Sequence, residues 1–156
     1  MVENFTELEG FLDKLKIPVR LACTTETGWP VVLSLWYVHH DGRLYCATQE
    51  SARVVNYLKN DPRCGFEIAE DHPPYCGVRG QAKANIRKDI GVEILEELLL
   101  RYLGTLKHPL AKDLLSKGET EVAIELEPLQ IFTWNFSKRM KGVSHVGMVD
   151  EAKICP

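Results

Sequence analysis

Hydrophobic and polar residues alternate over several short stretches of the chain, a pattern typical of β-strands with one buried face. Glu121–Glu127 alternates strictly, with Val122, Ile124 and Leu126 on its apolar side. Glycine, proline and Asp-Gly turn signals separate the stretches. The pattern predicts strands at Val19–Thr25, Pro30–Val38, Leu44–Thr48, Cys64–Ile68, Val78–Ile86 and Glu121–Glu127, the last resuming at Ile131–Trp134 after Pro128.

Other stretches repeat apolar residues at the three-to-four-residue spacing of an amphipathic helix. The predicted helices are one that carries Phe5, Leu8, Phe11, Leu12 and Leu15, followed by Ser51–Asn60, Ile90–Leu103 and Pro109–Leu115. Short connections favour antiparallel strand pairing. The chain is therefore predicted to form a single domain over residues 1–156, an α+β fold that is mainly β with α: a six-stranded antiparallel Greek-key barrel with flanking helices.

In two predicted strands, packing against a single hydrophobic core does not account for the residues on both faces. Pro30–Val38 is apolar on both alternating faces, so its second face requires a ligand ring, a subunit interface or a second buried layer. Val78–Ile86 carries polar side chains on one face and the small residues Gly80, Ala82 and Ala84 on the other. Small residues at such positions predict the close approach of a neighbour.

Composition narrows the function classes. The chain has 156 residues, 45% of them hydrophobic, and a net charge of −3, which gives no electrostatic reason to expect nucleic acid. No stretch reaches the ~20 apolar residues of a membrane span, and the first residues lack a signal-peptide pattern. The cysteines occur singly, which favours buried free thiols in a cytoplasmic protein. They are Cys23, Cys46, Cys64, Cys76 and Cys155.

The junction from Thr48 to Arg53 has the chemistry of an anion site. A strand passes there into a helix, whose first turn presents unpaired backbone N–H groups and a partial positive charge. Thr48 and Ser51 add hydroxyl groups, and Arg53 adds a guanidinium suited to phosphate. In the alternative interpretation, Ser51 is only a helix cap, Arg53 is solvated, and Glu50 repels an anion.

Other candidate chemistry is sparse. His39 and His40 lie at a hairpin end, where solvent exposure is expected, and no histidine has the spacing of a metal ligand. The chain lacks a glycine-rich phosphate loop and a serine-hydrolase elbow. The basic run Lys138–Lys141 is either a solvated segment or a second anion contact.

Taken in order, several segments resemble the pyridoxamine 5′-phosphate oxidase-like superfamily of FMN-binding split barrels. The resemblance covers nearly the whole chain and rests on the order and spacing of its pieces. These pieces are Gly28–Trp36, Asp41–Thr48, Ser51–Val55, Asn60–Arg63 and Pro73–Gly80.

The resemblance implies a homodimer that binds flavin mononucleotide (FMN) at its interface. The ring would lie against Val32–Tyr37, Arg53 would bind the phosphate, and the partner subunit would contribute Tyr75–Gln81 and Trp134. The cofactor contacts implied in this way are Val32, Leu33, Ser34, Leu35, Trp36, Ala47, Thr48, Ser51, Arg53, Tyr75, Gln81 and Trp134.

The sequence departs from the true oxidases at the phosphate and substrate sites. The oxidases carry basic residues at the positions of Val32, Tyr37 and Val54, and an Arg-Leu-x-Asp-Arg motif that Phe136–Val143 lacks. We therefore expect an FMN-dependent oxidoreductase acting on an unidentified small molecule. Ser34, Trp36 and Tyr75 are candidate pocket residues, and no catalytic side chain is assigned. The alternatives are a deazaflavin-dependent reductase and a non-catalytic flavin- or haem-binding carrier or sensor.

Overall fold

The computed structural model describes residues 5–143, which form one sheet and four α-helices. The strands are β1 (Val19–Thr24), β2 (Pro30–Leu35), β3 (Val38–His40), β4 (Arg43–Gln49), β5 (Arg63–Ala69), β6 (Cys76–Arg87) and β7 (Glu121–Asn135). The helices are α1 (Glu9–Lys14), α2 (Arg53–Asn60), α3 (Gly91–Leu103) and α4 (Pro109–Ser116). Short 3-10 turns at Phe5–Leu8 and Gly118–Thr120 precede α1 and β7.

The strands pair antiparallel in the order β2-β1-β5-β6-β7-β4-β3. Strands β2 and β3 therefore lie at opposite edges of the sheet, although only Trp36 and Tyr37 separate them in sequence. The three Cα–Cα steps across this link span at most about 11 Å. The sheet must curl until its edges meet, yet among the described residues no ladder joins β2 to β3. The result is a barrel that is split rather than closed.

The inward faces of the strands enclose the main core, and two helices complete it. Helix α1 contributes Leu12, and α2 contributes Val55 and Leu58, all almost fully buried. Phe5 and Phe66 bring their rings to a centroid distance of 5.1 Å. Each fully buried Leu or Val side chain stabilises the fold by roughly 1.5–3 kcal/mol. Helices α3 and α4 pack outside the barrel, as the pattern predicted.

The prediction of six strands is wrong by one, because the run Pro30–Val38 is not a single strand. Tyr37 leaves the ladder: its backbone N–H donates to the Tyr102 hydroxyl at 3.3 Å, and its own hydroxyl donates to the Leu12 carbonyl at 3.0 Å. The last strand also differs from expectation. Pro128 does not interrupt β7, because a β-bulge opposite Gln81 and Ala82 absorbs the irregularity.

The small residues of β6 have a neighbour within the chain. A Cβ added to Gly80 would lie 2.0 Å from the Gln130 carbonyl oxygen and 2.7 Å from the Phe66 ring. The close approach predicted from this strand is therefore made by β7 and by a core phenylalanine. It gives no support for a ligand on that face of the strand.

Two further expectations need correction. Helix α2 begins at Arg53 with Ala52 as its cap residue, so Ser51 precedes the helix and is not its N-cap. Cys23, Cys46 and Cys64 are free and buried, but Cys76 is disulfide-bonded, contrary to the prediction of free thiols throughout. Cys155 lies outside the described residues. Within residues 5–143, no helix has the length and apolarity that crossing a membrane requires.

Candidate functional site

The outer face of the sheet divides into two halves. We call the outer surface of β3, β4 and the first part of β7 the covered half, because α3 packs against it. We call the outer surface of β2, β1, β5, β6 and the end of β7 the open half. Large apolar side chains are exposed on or beside the open half: Trp29, Val32, Leu129 and Phe132.

A row of cross-strand neighbours forms the centre of the open half. The register pairs Val32 with Ala22, Ala22 with Gly65, and Gly65 with Gln81. The two middle residues are small, so the surface dips between Val32 and Gln81. Three inter-strand spacings separate those two residues, a width of about 14 Å.

This dip is a groove of about 460 Å³, a volume within the range of small-molecule sites. Val32 and Phe132 supply apolar surface to its lining, while Arg79 and Gln81 supply polar groups. A second hollow of similar volume adjoins it and shares Ala22, Gly65 and Gln81. The open half therefore offers an elongated depression with a floor of small residues.

The charged side chains around the groove differ in what they contact. Arg20 donates to Asp71 at 2.6 Å and lies 4.0 Å from Glu67. Arg79 is exposed, and among the described residues it has no ion-pair partner. Arg79 and Gln81 are thus free to donate hydrogen bonds to an anionic or carbonyl-bearing ligand in the groove.

The β4–α2 junction keeps several features of an anion site. Ser51 and Arg53 are exposed, and Arg53 has no ion-pair partner among the described residues. Glu50 contacts both Lys88 and Lys59. The hydrogen bond from Lys88 lowers the pKa of Glu50, so this carboxylate is ionised and its charge is offset by two lysines. The repulsion expected from Glu50 is correspondingly reduced.

The residues predicted to bind a cofactor do not gather in one place within a chain. Val32 and Gln81 line the groove, and Ser34 shares the exposed face of β2. Leu33 and Leu35 point inward, against the core. The remaining residues fall into three groups: Trp36 with Ala47 beneath α3, Thr48 with Ser51 and Arg53 at the β4–α2 junction, and Tyr75 with Trp134 at the ends of β6 and β7.

Trp36 is held by protein groups on the covered side. Its ring stacks on Tyr102 of α3 at a centroid distance of 4.7 Å and an interplanar angle of 3°. Ala47 packs in the same clusters. At the other end of the barrel, the backbone N–H of Phe136 donates to the Tyr75 carbonyl at 2.9 Å, which places Tyr75 beside the aromatic pair Trp134 and Phe136.

Both histidines at the β3 edge are engaged with carboxylates. His40 Nε2 lies 2.5 Å from Glu97, and His39 Nδ1 lies 3.5 Å from Asp13. Burial lowers the pKa of His39, and the nearby Asp13 opposes this effect. The expectation of simple solvent exposure is therefore wrong for His39. Across the described residues, no group of three or more His, Cys, Asp or Glu side chains is placed to hold a metal ion.

Sequence reasoning missed the floor of the groove. Ala22 and Gly65 have no functional group in their side chains, so neither strand considered alone indicates a binding site at these residues. Their position follows only from the register, which places both at outward positions of neighbouring strands. A small residue at an outward position in each of two adjacent strands is the signal that could have found them.

These features define a split β-barrel with an open outer groove. Solved structures share it over most of their length. The conserved hypothetical protein Rv2991 from Mycobacterium tuberculosis has 21% identity and a TM-score of 0.74, covering 96% of this chain and 92% of that one.

Two further solved structures with this fold carry functional names. An F420 reductase has 22% identity and a TM-score of 0.63, covering 80% of this chain and 94% of that one. A putative pyridoxamine 5′-phosphate oxidase from Listeria innocua has 16% identity and a TM-score of 0.63, with coverages of 82% and 95%. No protein-family model matches the sequence, and no curated protein is detectably similar to it.

Proposed function

We propose that the chain is a flavoprotein that binds FMN in the groove of its open half, at an interface between two copies, and acts as an oxidoreductase on a small molecule. The observation that carries this proposal is the row Val32, Ala22, Gly65 and Gln81, an apolar wall and a polar wall on either side of a small-residue floor. A planar ring requires such a floor, because larger side chains would hold it away from the sheet.

The groove suits a ring that is apolar on its faces and polar on one edge. Ala22 and Gly65 would lie against one face of the ring, and Val32 and Phe132 would add apolar contacts at its sides. Gln81 and Arg79 would donate hydrogen bonds to its polar edge. When bound, FMN supplies the hydride or electron transfer. The chain itself would orient the ring and exclude water from it.

A second copy of the chain would complete the site. Val32 and Gln81 lie in the groove, whereas Thr48, Ser51 and Arg53 lie at the β4–α2 junction, and no hydrogen bond or ion pair between described residues joins the two places. The exposed apolar residues of the open half also favour an interface. In the proposed dimer, the groove of one subunit holds the ring and the junction of the other binds the phosphate. This arrangement differs from the one implied by the resemblance, in which Val32 and Arg53 belong to one subunit and Gln81 to its partner.

The contribution of Arg53 can be tested by fluorescence titration with FMN. Because a charged hydrogen bond is worth roughly 1.5–3 kcal/mol, Arg53→Glu is expected to weaken FMN binding at least about tenfold with the fold retained. Lys112→Glu is the matched control: it makes the same charge change on the exposed face of α4 and should leave the affinity unchanged.

The outcomes of this titration are separable. Equal losses in both variants would show that only net charge matters, which would remove Arg53 from the site. If the wild-type chain binds no FMN, the proposed cofactor is wrong. If a sample that remains monomeric by light scattering binds one FMN per chain tightly, the shared site is wrong.

One observation favours a deazaflavin as a second candidate cofactor. The positions at which the true oxidases carry basic phosphate ligands include Tyr37 and Val54, and both are buried in the core here. The oxidase-like phosphate cluster therefore cannot form at these positions. Parallel titrations with FMN and a deazaflavin would decide between the two, with the tighter ligand identifying the cofactor.

A further inference from the structure

Two free cysteines face each other across neighbouring strands. The antiparallel register of β1 and β5 pairs Leu21 with Phe66 and Ala22 with Gly65. The ladder ends at Ala22 and Gly65, and continuing its register by one residue sets Cys23 opposite Cys64. Directly opposed residues of an antiparallel pair have Cα atoms about 4.5–5.5 Å apart, which lies within the range of disulfide-bonded cysteines.

Both cysteines contribute to the lining of a hollow that a small molecule can enter, although their side chains lie in the core. Cys23 and Cys64 are buried in the core, yet both also line the second hollow of the open half. The Cys64 thiol donates to the Ala82 carbonyl at 3.4 Å. The pair is thus sheltered from large reagents and lies in strands that border a hollow large enough for a peroxide.

We propose that Cys23 and Cys64 are a redox-active pair that a small peroxide converts into a cross-strand disulfide. The thiolate of one cysteine attacks the peroxide, the O–O bond breaks, and a sulfenic acid forms with the release of one water. The second thiolate then attacks the sulfenic sulfur, the S–S bond forms and another water leaves. In sum, two thiols and one hydrogen peroxide give one disulfide and two waters, and the two electrons pass from sulfur to the peroxide.

The environment of the thiols predicts how the reaction depends on pH. Burial raises the pKa of Cys23, and burial together with the charge of Cys23 raises the pKa of Cys64 to about 12. The thiolate is the reacting species, so the pair is slow at neutral pH. The rate should increase by about tenfold per pH unit below these pKa values.

Cys46 is the rival partner for Cys64. Cys46 lies close enough to Cys64 for the charge of Cys64 to contribute to the raised pKa of Cys46. However, Cys46 is fully buried, belongs to β4 rather than to a strand beside β5, and does not line the second hollow. Geometry therefore favours Cys23 as the partner that Cys64 reaches.

A peptide map of the intact protein tests the proposal. The protein without added cofactor is treated with hydrogen peroxide at several pH values, blocked with iodoacetamide, and digested after Lys, Arg and Glu without reduction. This digestion places Cys23 on Leu21–Glu26, Cys64 on Cys64–Glu67 and Cys76 on a separate peptide. The expected product is the cross-linked pair of the first two peptides, increasing about tenfold in rate per pH unit.

Two variants make the assignment specific. Cys46→Ala should retain the cross-link at the wild-type rate, and Cys23→Ala should abolish it. If peroxide links Cys64 to Cys46, or oxidises Cys64 to a sulfinic acid while Cys23 stays free, the proposal is overturned. Because the wild-type map is decisive alone, an unstable variant does not remove the test. The test needs neither FMN nor a dimer, so its result is independent of the function proposed above.

Discussion

The two halves of the outer sheet face are built from similar strands but differ in whether a helix packs against them. In the covered half, Ala123 has no exposed surface, and Trp36 and Ala47 pack beneath α3. In the open half, Val32 is 65% exposed and Phe132 is 41% exposed. The chain thus supplies its own second layer for one half only. Large apolar side chains exposed around one groove indicate a site of interaction, so the difference indicates where a ligand or a second copy should bind.

One charged residue in each half, Glu125 and Arg79, shows the same contrast. In the covered half, Glu125 is buried and receives hydrogen bonds from Asn85 at 3.3 Å and Arg87 at 3.1 Å. In the open half, Arg79 is exposed and has no ion-pair partner among the described residues. Buried polar groups with fixed partners stabilise structure, whereas exposed donors beside a groove are available to a ligand.

The halves should differ most in the free energy of unfolding that is lost when one apolar side chain is truncated in each. Leu99 of α3 is fully buried, so Leu99→Ala should lower the free energy of unfolding by about 2–5 kcal/mol. Val32→Ala should change it by no more than about 0.5 kcal/mol in dilute protein. Urea unfolding at two protein concentrations measures both effects.

The concentration dependence sharpens this test. If a second copy covers the open half, Val32→Ala should lower the free energy of unfolding by a larger amount at higher protein concentration, because association stabilises the folded chain. Leu99→Ala should show the same cost at both concentrations. A Val32→Ala cost equal to that of Leu99→Ala in dilute monomer would mean that the chain covers its own groove.

A smaller effect is expected from adding one methyl group to a glycine in each half. A Cβ on Gly91 of α3 would lie 2.2 Å from the Glu121 carbonyl oxygen, so Gly91→Ala should push the helix from β7 and cost about 1–3 kcal/mol. A Cβ on Gly65 would meet nothing closer than 3.7 Å. Gly65→Ala should therefore fold normally.

The same pair of variants separates stability from binding. Gly65→Ala raises the floor of the groove, so it should weaken FMN binding while thermal unfolding is unchanged. Gly91→Ala should lower the unfolding temperature, and the protein that remains folded should bind FMN as the wild type does. Normal FMN affinity in Gly65→Ala would place the ring outside the groove.

Local sequence patterns predicted most of the helices and strands, because strand alternation and helical spacing depend only on residues a few positions apart. The helical spacing of Ile90–Leu103 matched α3 to within one residue, and the alternation of Glu121–Glu127 marked the first part of β7, which continues to Asn135. The break at Tyr37 was missed because its cause is distant: the Tyr37 hydroxyl binds the Leu12 carbonyl, and the Tyr37 N–H binds Tyr102. A bond between residues so far apart in sequence leaves no local signal.

The candidate site was harder to predict for the same reason. Val32 and Gln81 were named from a resemblance, but the groove between them depends on the register of four strands. In the sequence, Trp36 and Ala47 are candidate cofactor contacts just as Val32 is, because no local pattern indicates that α3 covers them. Which half of a two-faced sheet the chain covers is a tertiary property, and only the structure distinguishes these residues from Val32.

The smallest expected effect concerns a carboxylate in each half. Glu121 is buried where α3 meets β7, and burial raises its pKa above the ordinary range. The folded chain therefore holds this proton more tightly than the unfolded chain does. Glu121 accordingly adds stability below the ordinary pKa of a glutamate, and that stability is lost as the pH rises through the raised value.

Glu121→Gln should abolish this pH-dependent loss. The variant should match the wild type in acid, where both side chains are neutral, and exceed it in the free energy of unfolding near pH 7. Glu67→Gln in the open half should not gain, because it removes a weak exposed contact with Arg20. Urea unfolding from about pH 4 to about pH 8 measures both variants. A gain in Glu67→Gln as large as that in Glu121→Gln would show that the carboxylates of the two halves experience the same environment, which would end the distinction between them.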